Sequence, residues 1–231
     1  SVAPHSVEVG TFHEHCVMVS RRVGIEPDFN APLVWQETVN RFLANAQAQP
    51  ARLDLLIIDE SQDFDPAWLE ALASRLKDDG RLYVMGDADQ QVYGRDAFDL
   101  ADAVQISSRD NFRSPRKVVQ AINQLKLASV PVHARSVLLG ESPGFHTYAH
   151  GKSGCVTALE KCLKTLMSEG VAPSHIAILT FAGRDHSEVL SRTTLAGLPV
   201  KRFTGRYDNA SNPLWTSGDL LVETLYRFKG Q

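Results

Sequence analysis

Val7 and Val9 alternate with polar residues ahead of Thr11, and this period-two pattern predicts a short strand feeding a helix over about 12–23. Asn30 and Pro32 mark the start of a second helix running to about residue 47. Residues 53–58, Leu-Asp-Leu-Leu-Ile-Ile, then form an apolar run that stops abruptly at two adjacent carboxylates, Asp59 and Glu60. A run of this length bounded by polar residues suits a strand buried on both faces. Asp65 followed by Pro66 supplies an N-cap and first-turn proline for a helix to about residue 76. Asp78-Asp79-Gly80 reads as a turn into a strand at about 81–85, a further strand is expected at about 103–107, and Ser114-Pro115 opens another helix. The alternation then restarts: a helix at about 154–168, a strand at about 176–181, a helix at about 185–196, and strands at about 200–203 and 219–225.

Strand–helix alternation along the whole chain argues for an α/β fold, with parallel sheets flanked by helices on both faces. A domain boundary is expected near residue 114, giving segments 1–113 and 114–231, and no internal repeat or low-complexity stretch interrupts them. The length of 231 residues is enough for a sizeable core, and 43% hydrophobic with 22% charged residues is ordinary for a soluble globular protein. No apolar stretch approaches the roughly 20 residues that span a bilayer, and no signal peptide opens the chain, so no membrane partner is expected. Cys16, Cys155 and Cys162 are an odd, scattered set, for which a reducing cytoplasm is the simplest home. A net charge of −3 neither demands nor excludes nucleic acid, because a local basic groove can sit on a mildly acidic protein.

The candidate chemistry gathers at strand ends. Asp59 and Glu60 occupy the C-terminal tip of their strand, where open α/β sheets bind ligands. Nucleotide hydrolysis there needs one carboxylate for Mg²⁺ and another to orient or deprotonate the attacking water. Downstream, Gly86-Asp87-Ala88-Asp89-Gln90-Gln91-Val92-Tyr93 follows another apolar strand, with a glycine that allows close backbone approach and polar residues that can reach a phosphate. Asn111-Phe112-Arg113-Ser114-Pro115 presents an arginine just before a helix, and arginine suits the charge of a transferring phosphoryl group. His13, His15 and Cys16 are too crowded for a usual zinc-ligand spacing, and no metal site is expected from them.

Asp59-Glu60-Ser61-Gln62, Gly86-Asp87-x-x-Gln90-x-x-Tyr93 and Asn111-Phe112-Arg113-Ser114 resemble motifs II, III and IV of superfamily 1 DNA helicases of the UvrD/Rep type, in the right order. Thr11-Phe12-His13 resembles the family's Thr-Phe-His element, and Thr224-Leu225-Tyr226-Arg227-Phe228-Lys229-Gly230 resembles motif V. The resemblance implies parts of two RecA-like domains of the P-loop NTPase fold, 1A in residues 1–113 and 2A in 114–231. It implies ATP and Mg²⁺ as cofactors and single-stranded DNA, or duplex with a single-stranded tail, as partner. Asp59 would hold Mg²⁺ and Glu60 would be the general base toward the γ-phosphate. Gln62 and Gln90 would sense that phosphate, with Asp87 beside them at the nucleotide, and Arg113 would contact it from the domain junction. Thr11, Phe12, His13, Tyr93, Arg95, Thr224 and Tyr226 would lie along the DNA track, where Lys229 and Gly230 complete motif V.

The chain also departs from the family. The P-loop pattern G-x-x-x-x-G-K-[ST] is absent from these residues. Gly151-Lys152-Ser153 imitates its end, but His146 stands at the first glycine position and the segment follows motif IV, so it reads as a loop and helix cap. Motif V stops at Gln231, where the family continues to a glutamate. The chain is therefore expected to be a piece of a longer helicase-like protein, binding ATP weakly and not turning it over alone. About 48 residues separate Thr11 from Asp59 and about 110 separate Arg113 from Thr224, too few for the large 1B and 2B insertions. Arg95 follows Tyr93-Gly94 where many relatives carry a stacking tryptophan. Two other function classes remain open: a non-catalytic DNA- or protein-binding module, and a metal nuclease using Asp59, Glu60 and Asp63.

Overall fold

Helix formation begins where the sequence supplies both halves of a capping box. Thr11 Oγ1 accepts from the Glu14 N–H and Glu14 Oε2 accepts from the Thr11 N–H, closing the N-terminus of α1, Phe12–Arg22. A computed structural model describes residues 7–46, 52–94, 100, 102–148, 154–208 and 212–229, and the chain divides into two units, Ser1–Pro143 and Gly144–Gln231. Val7 and Val9, expected in a strand, lie exposed outside any ladder.

In the first unit, α1 packs on α2, Val34–Ala46, and both cover one face of a parallel pair formed by β1, Leu53–Ile58, and β2, Leu76–Val84. Between the strands runs α3, Pro66–Ala73, with Asp65 as N-cap accepting from the Ala67 N–H. Leu56 pairs with Leu82 and Ile58 with Val84, and these four residues meet Phe12, Cys16, Phe42 and Leu69 in one core. The residues between them point the other way. Leu55, Ile57 and Tyr83 are exposed, Ile57 at 56%, so β1 is not buried on both faces as its apolar run predicts. Among the described residues, the core helices of this unit lie on one side of the pair, and strand alternation leaves the other side open.

Asp78-Asp79-Gly80, expected as a turn ahead of the strand, instead lies inside β2. Leu53 pairs with Leu76 but Leu55 pairs with Arg81, so the extra residues bulge out of the ladder. Gly80 permits this, since a Cβ there would lie 2.9 Å from Lys77 O and 3.0 Å from Leu53 O. The strand expected at about 103–107 does not form; Val104 and Ile106 are 91% and 92% exposed and no described strand pairs with them. The unit continues with β3, Asp110–Asn111, α4, Arg116–Gln124, and β4, His133–Ala134, which pairs parallel with β3. The first N–H groups of α4 find their acceptors in the chain itself: Arg116 and Lys117 donate to Leu138 O and Leu139 O at 2.9 and 3.0 Å.

The second unit opens with α5, Gly154–Ser168. It then forms β5, Ala177–Thr180, β6, Thr194–Leu195, β7, Leu198–Lys201, β8, Phe203–Tyr207, β9, Pro213–Trp215, and β10, Leu220–Thr224, followed by α6, Leu225–Phe228. The main sheet has the order β5-β10-β7-β6, parallel except for β6, while β8 and β9 form a separate antiparallel pair. Leu220 and Val222 on central β10 are fully buried among Val156, Leu163, Leu195 and Val200. The helix expected at about 185–196 is replaced by turns and a hairpin. Ala196 and Gly197 both have positive φ, 49° and 82°, the two-residue hairpin geometry that joins β6 to β7. Ser187 Oγ accepts from the Leu190 N–H and Ser191 Oγ donates to Glu188 O, further local bonds that compete with a helix. The fold is α/β with parallel sheets flanked by helices.

Candidate functional site

The tips of β1 and β2 are tied together by backbone. Met85 N donates to Ile58 O at 2.8 Å, and Ser61 N donates back to Met85 O at 2.9 Å. This brings the acidic pair and the Gly86-Asp87 turn side by side. Asp59 and Glu60 are both exposed at the strand end. Asp59 Oδ1 accepts from the Glu60 N–H at 2.9 Å. Glu60 stands at φ 53° and ψ 40°, left-handed for a residue with a side chain, a conformation costing about 1–2 kcal/mol. Such strain gathers at functional positions when the surroundings hold it, and here the next residues, Ser61–Asp63, close a tight turn behind it.

Four residues then form a hydrogen-bonded line that passes through the Asp87 backbone N–H. Gln62 Nε2 donates to Glu60 Oε2 at 2.6 Å, and Gln62 Oε1 accepts from the Asp87 N–H at 3.0 Å. Asp87 Oδ2 accepts from Gln90 Nε2 at 2.7 Å, while its Oδ1 caps the short Ala88–Gln90 turn by accepting from the Asp89 N–H at 3.0 Å. Both glutamines reach the acidic pair's side of the sheet through this line. Gly86 allows the two turns to approach, since a Cβ there would lie 2.4 Å from Ser61 Oγ and 2.8 Å from Gln62 Oε1.

Arg113 lies in the tight turn before α4. Asn111 Oδ1 accepts from the backbone N–H of both Arg113 and Ser114, at 3.1 and 2.8 Å, and fixes that turn. The Arg113 side chain is exposed and makes no hydrogen bond or ion pair among the described residues, so the structure does not join it to the acidic pair. Asp110, two residues before Phe112, bonds Arg135 Nε at 2.9 Å, which draws its carboxyl below the usual value.

Part of the chain matches known proteins. Residues 5–96 match the family model of an AAA domain. ATP-dependent DNA helicase UvrD2 of Mycobacterium bovis and of Mycobacterium tuberculosis are 28% identical to the chain over 145 residues, covering 55% of this chain and 21% of each relative. Over that stretch the chain is similar to these UvrD2 helicases. It spans about a fifth of the length of those relatives, at 21%.

The three residues of the Thr11-Phe12-His13 segment sit in different surroundings. Thr11 is the cap of α1. Phe12 is a core residue at 8% exposure, stacked on Trp68 with centroids 4.4 Å apart. His13 lies half-buried with its ring edge-on to Trp35 and Trp68. Of the neighbouring residues, His15 bonds Arg75 at 3.1 Å through Nε2, and burial followed by the Arg75 charge holds its pKa below the ordinary value. Cys16 is fully buried and its thiol is pushed up to about 12 by that burial, so it is no nucleophile at neutral pH. Tyr93 is exposed, ahead of Gly94 at φ 58°, whereas Arg95 lies outside the described residues, as do Gly151-Lys152-Ser153 and Gly230.

In the second unit, the motif V segment starts at the end of β10. Thr224 pairs with Thr180 across the sheet and caps α6 by accepting from the Arg227 N–H at 3.2 Å. Tyr226 is exposed on the turn. Beneath it lie groups that the motifs did not single out. Glu223, 5% exposed, accepts from the Thr224 N–H at 2.8 Å and lies 3.8 Å from Arg227, whose guanidinium stacks 3.7 Å above the Phe203 ring. Arg184 donates to the carbonyls of Phe203 and Thr204, and Arg202 donates to Leu190 O. These residues line a small cavity beside Thr224. Arg227 belongs to a stretch legible as motif V, but Glu223, Arg184 and Arg202 carry no local pattern that marks them.

Among the described residues, no group of three His, Cys, Asp or Glu converges as a metal site. Nothing there assembles the several carboxylates that a two-metal nuclease uses. A single exposed carboxylate does suit Mg²⁺ held jointly with nucleotide phosphates, which needs only one or two protein oxygens, and Asp59 is such a group. The helices of the described residues include none long and apolar enough to cross a membrane.

Proposed function

We propose that this chain is part of an ATP-driven motor acting on single-stranded DNA, and that it carries the hydrolytic half of the nucleotide site. The observation supporting this reading is the line Glu60–Gln62–Asp87–Gln90, which joins the tips of two parallel strands where a nucleotide-hydrolysing sheet keeps its reactive groups. Asp59 would hold Mg²⁺, which when bound neutralises phosphate charge. Glu60 takes the proton of the attacking water, and its left-handed backbone and the Gln62 amide set the carboxylate's position. Gln62 and Gln90 exchange their present partners for the γ-phosphate, so the line reports nucleotide state. Arg113, free of internal partners among the described residues, would stabilise transferring charge from the domain junction.

On this reading residues 1–113 belong to domain 1A and 114–231 to domain 2A. Thr11, His13, Tyr93, Arg95, Thr224 and Tyr226 are the residues proposed to contact DNA, with Phe12 holding the first of these segments in place. The cytoplasm is the proposed location. On this reading the phosphate cradle, whose pattern these residues lack, would be supplied elsewhere in a longer polypeptide, and this chain alone would not turn over ATP. The same absence favours one second reading, a helicase-like module that binds DNA or protein without catalysis.

One experiment separates them. ATP hydrolysis by the full-length protein, with and without single-stranded DNA, is compared for wild type and Glu60→Gln. The motor reading expects DNA-stimulated turnover that falls by about 100-fold or more in the variant, with ATP binding retained. Absence of turnover in the wild type selects the non-catalytic module, and equal turnover in both proteins rejects Glu60 as the base. Hydrolysis by the purified 231-residue chain would overturn its assignment as inactive.

A further inference from the structure

The hydrogen-bonded line does not end at Gln90. Asp89, in the same short turn, turns its Oδ2 to Ser129, accepting from the Ser129 backbone N–H at 2.9 Å and from its hydroxyl at 3.0 Å. Two donors on one carboxylate oxygen fix both distance and orientation, and an ionised acceptor makes each bond stronger than a neutral one. Ser129 lies forty residues downstream, in the loop between α4 and β4. That loop is itself clamped to α4. Asn123 Nδ2 donates to Val132 O at 2.8 Å and Asn123 Oδ1 accepts from the Val132 N–H at 2.9 Å, while Leu127 N donates to Ile122 O at 3.0 Å. At its far end β4 pairs with β3, and β3 leads into the Asn111 turn that presents Arg113.

We infer that Asp89 and Ser129 are positioning residues that couple the state of the nucleotide site to the element carrying Arg113. This rests on the motor reading above. The connected groups run Glu60, Gln62, Asp87, Asp89, Ser129, and every side-chain link between them is 2.6–3.0 Å long. Asp87 is the branch point: its backbone N–H holds Gln62, one carboxylate oxygen holds Gln90 and the other holds the Asp89 N–H. When a γ-phosphate draws the two glutamines away, Asp87 loses partners on two sides and the Ala88–Gln90 turn is free to re-form differently. Asp89 moves with that turn, because its N–H is part of it. The Ser129 loop then follows or lets go, and through the Asn123 clamp α4 responds as a body. Neither Asp89 nor Ser129 touches the reacting atoms; their effect is on linkage between sites, which is a free energy and is reciprocal.

Linkage is therefore the quantity to measure. In the full-length protein, affinity for single-stranded DNA is determined with and without a non-hydrolysable ATP analogue, for wild type, Asp89→Ala, Ser129→Ala and the double variant. Couplings between sites are commonly about 5–150-fold, so the wild type is expected to show at least about fivefold. Asp89→Ala is expected to bring that factor close to one while changing each separate affinity by less than about twofold. Ser129→Ala keeps the backbone N–H and is expected to lose less, in the same direction. The double variant is expected to match Asp89→Ala, because both remove one interaction. Thermal midpoints of all four proteins report whether each variant is folded. Full wild-type coupling in Asp89→Ala, or losses that add in the double variant, overturn the inference and leave the motor reading standing. A wild type with no DNA-stimulated turnover and no linkage overturns both.

Discussion

A methyl group at position 86 would lie 2.4 Å from Ser61 Oγ and 2.8 Å from Gln62 Oε1, both of them ends of side chains that can swing away. Gly86→Ala is therefore expected to displace the Gln62 amide from Glu60 and Asp87 rather than to break the fold. Turnover in the full-length protein should fall by about tenfold or more, in line with the cost of misplacing a reacting group by about an ångström. The thermal midpoint should drop by only about 2–4 °C, the shift for roughly 1 kcal/mol in a chain of this size. Steady-state hydrolysis and thermal melting of the same preparation check both; unchanged turnover would show that Gln62 does not need its present position. The residues of this site were legible because they sit in short patterns at the ends of apolar runs, Asp59-Glu60-x-Gln62 and Gly86-Asp87-x-x-Gln90. Their partners were not. Nothing near Ser129 announces a bond to Asp89, and Glu223, Arg184 and Arg202 come together only because β10 runs beside β5 and β7.

Among the elements, α1 depends most visibly on a local device, the reciprocal Thr11–Glu14 cap. Thr11→Ala removes the acceptor for the Glu14 N–H and should cost about 1 kcal/mol, read as a lower urea midpoint with an unchanged slope. Restoring most of that loss with Thr11→Ser would identify the hydroxyl as the cause. Asp65-Pro66 is such a signal for α3, and α5 spans the residues its periodicity predicts. Errors fell where a period could serve two structures. The stretch at 185–196 has helical spacing, yet Ala196-Gly197 at its end make a hairpin turn that recruits Thr194 and Leu195 into β6. Val104 and Ile106 show strand alternation, but a strand exists only with a neighbour to take its hydrogen bonds, and none of the described strands is beside them. The apolar run of β1 reports hydrophobicity on both faces, while the described helices cover one.

For the molecule as a whole, the half-buried His15–Arg75 contact makes stability depend on pH in a defined direction. His15 has a pKa held below its ordinary 6.5 by burial first and by Arg75 next, with Arg22 and Arg52 adding to the effect and Glu8 opposing it. The folded state thus binds fewer protons at this site than the unfolded chain. Its contribution is fully present above about pH 6.5 and is lost as pH falls below that value toward the depressed folded one. Urea midpoints measured from pH 7.5 down to 5.5 should fall for the wild type and flatten in His15→Gln; parallel profiles would reject the assignment. The neighbouring His13 has a different consequence. Two of the three tryptophans in the chain, Trp35 and Trp68, hold its ring edge-on. Indole emission is sensitive to whatever meets the ring beside it, so the protein carries its own optical probe at this spot. Anything that settles against His13 writes itself into the fluorescence of the unlabelled chain.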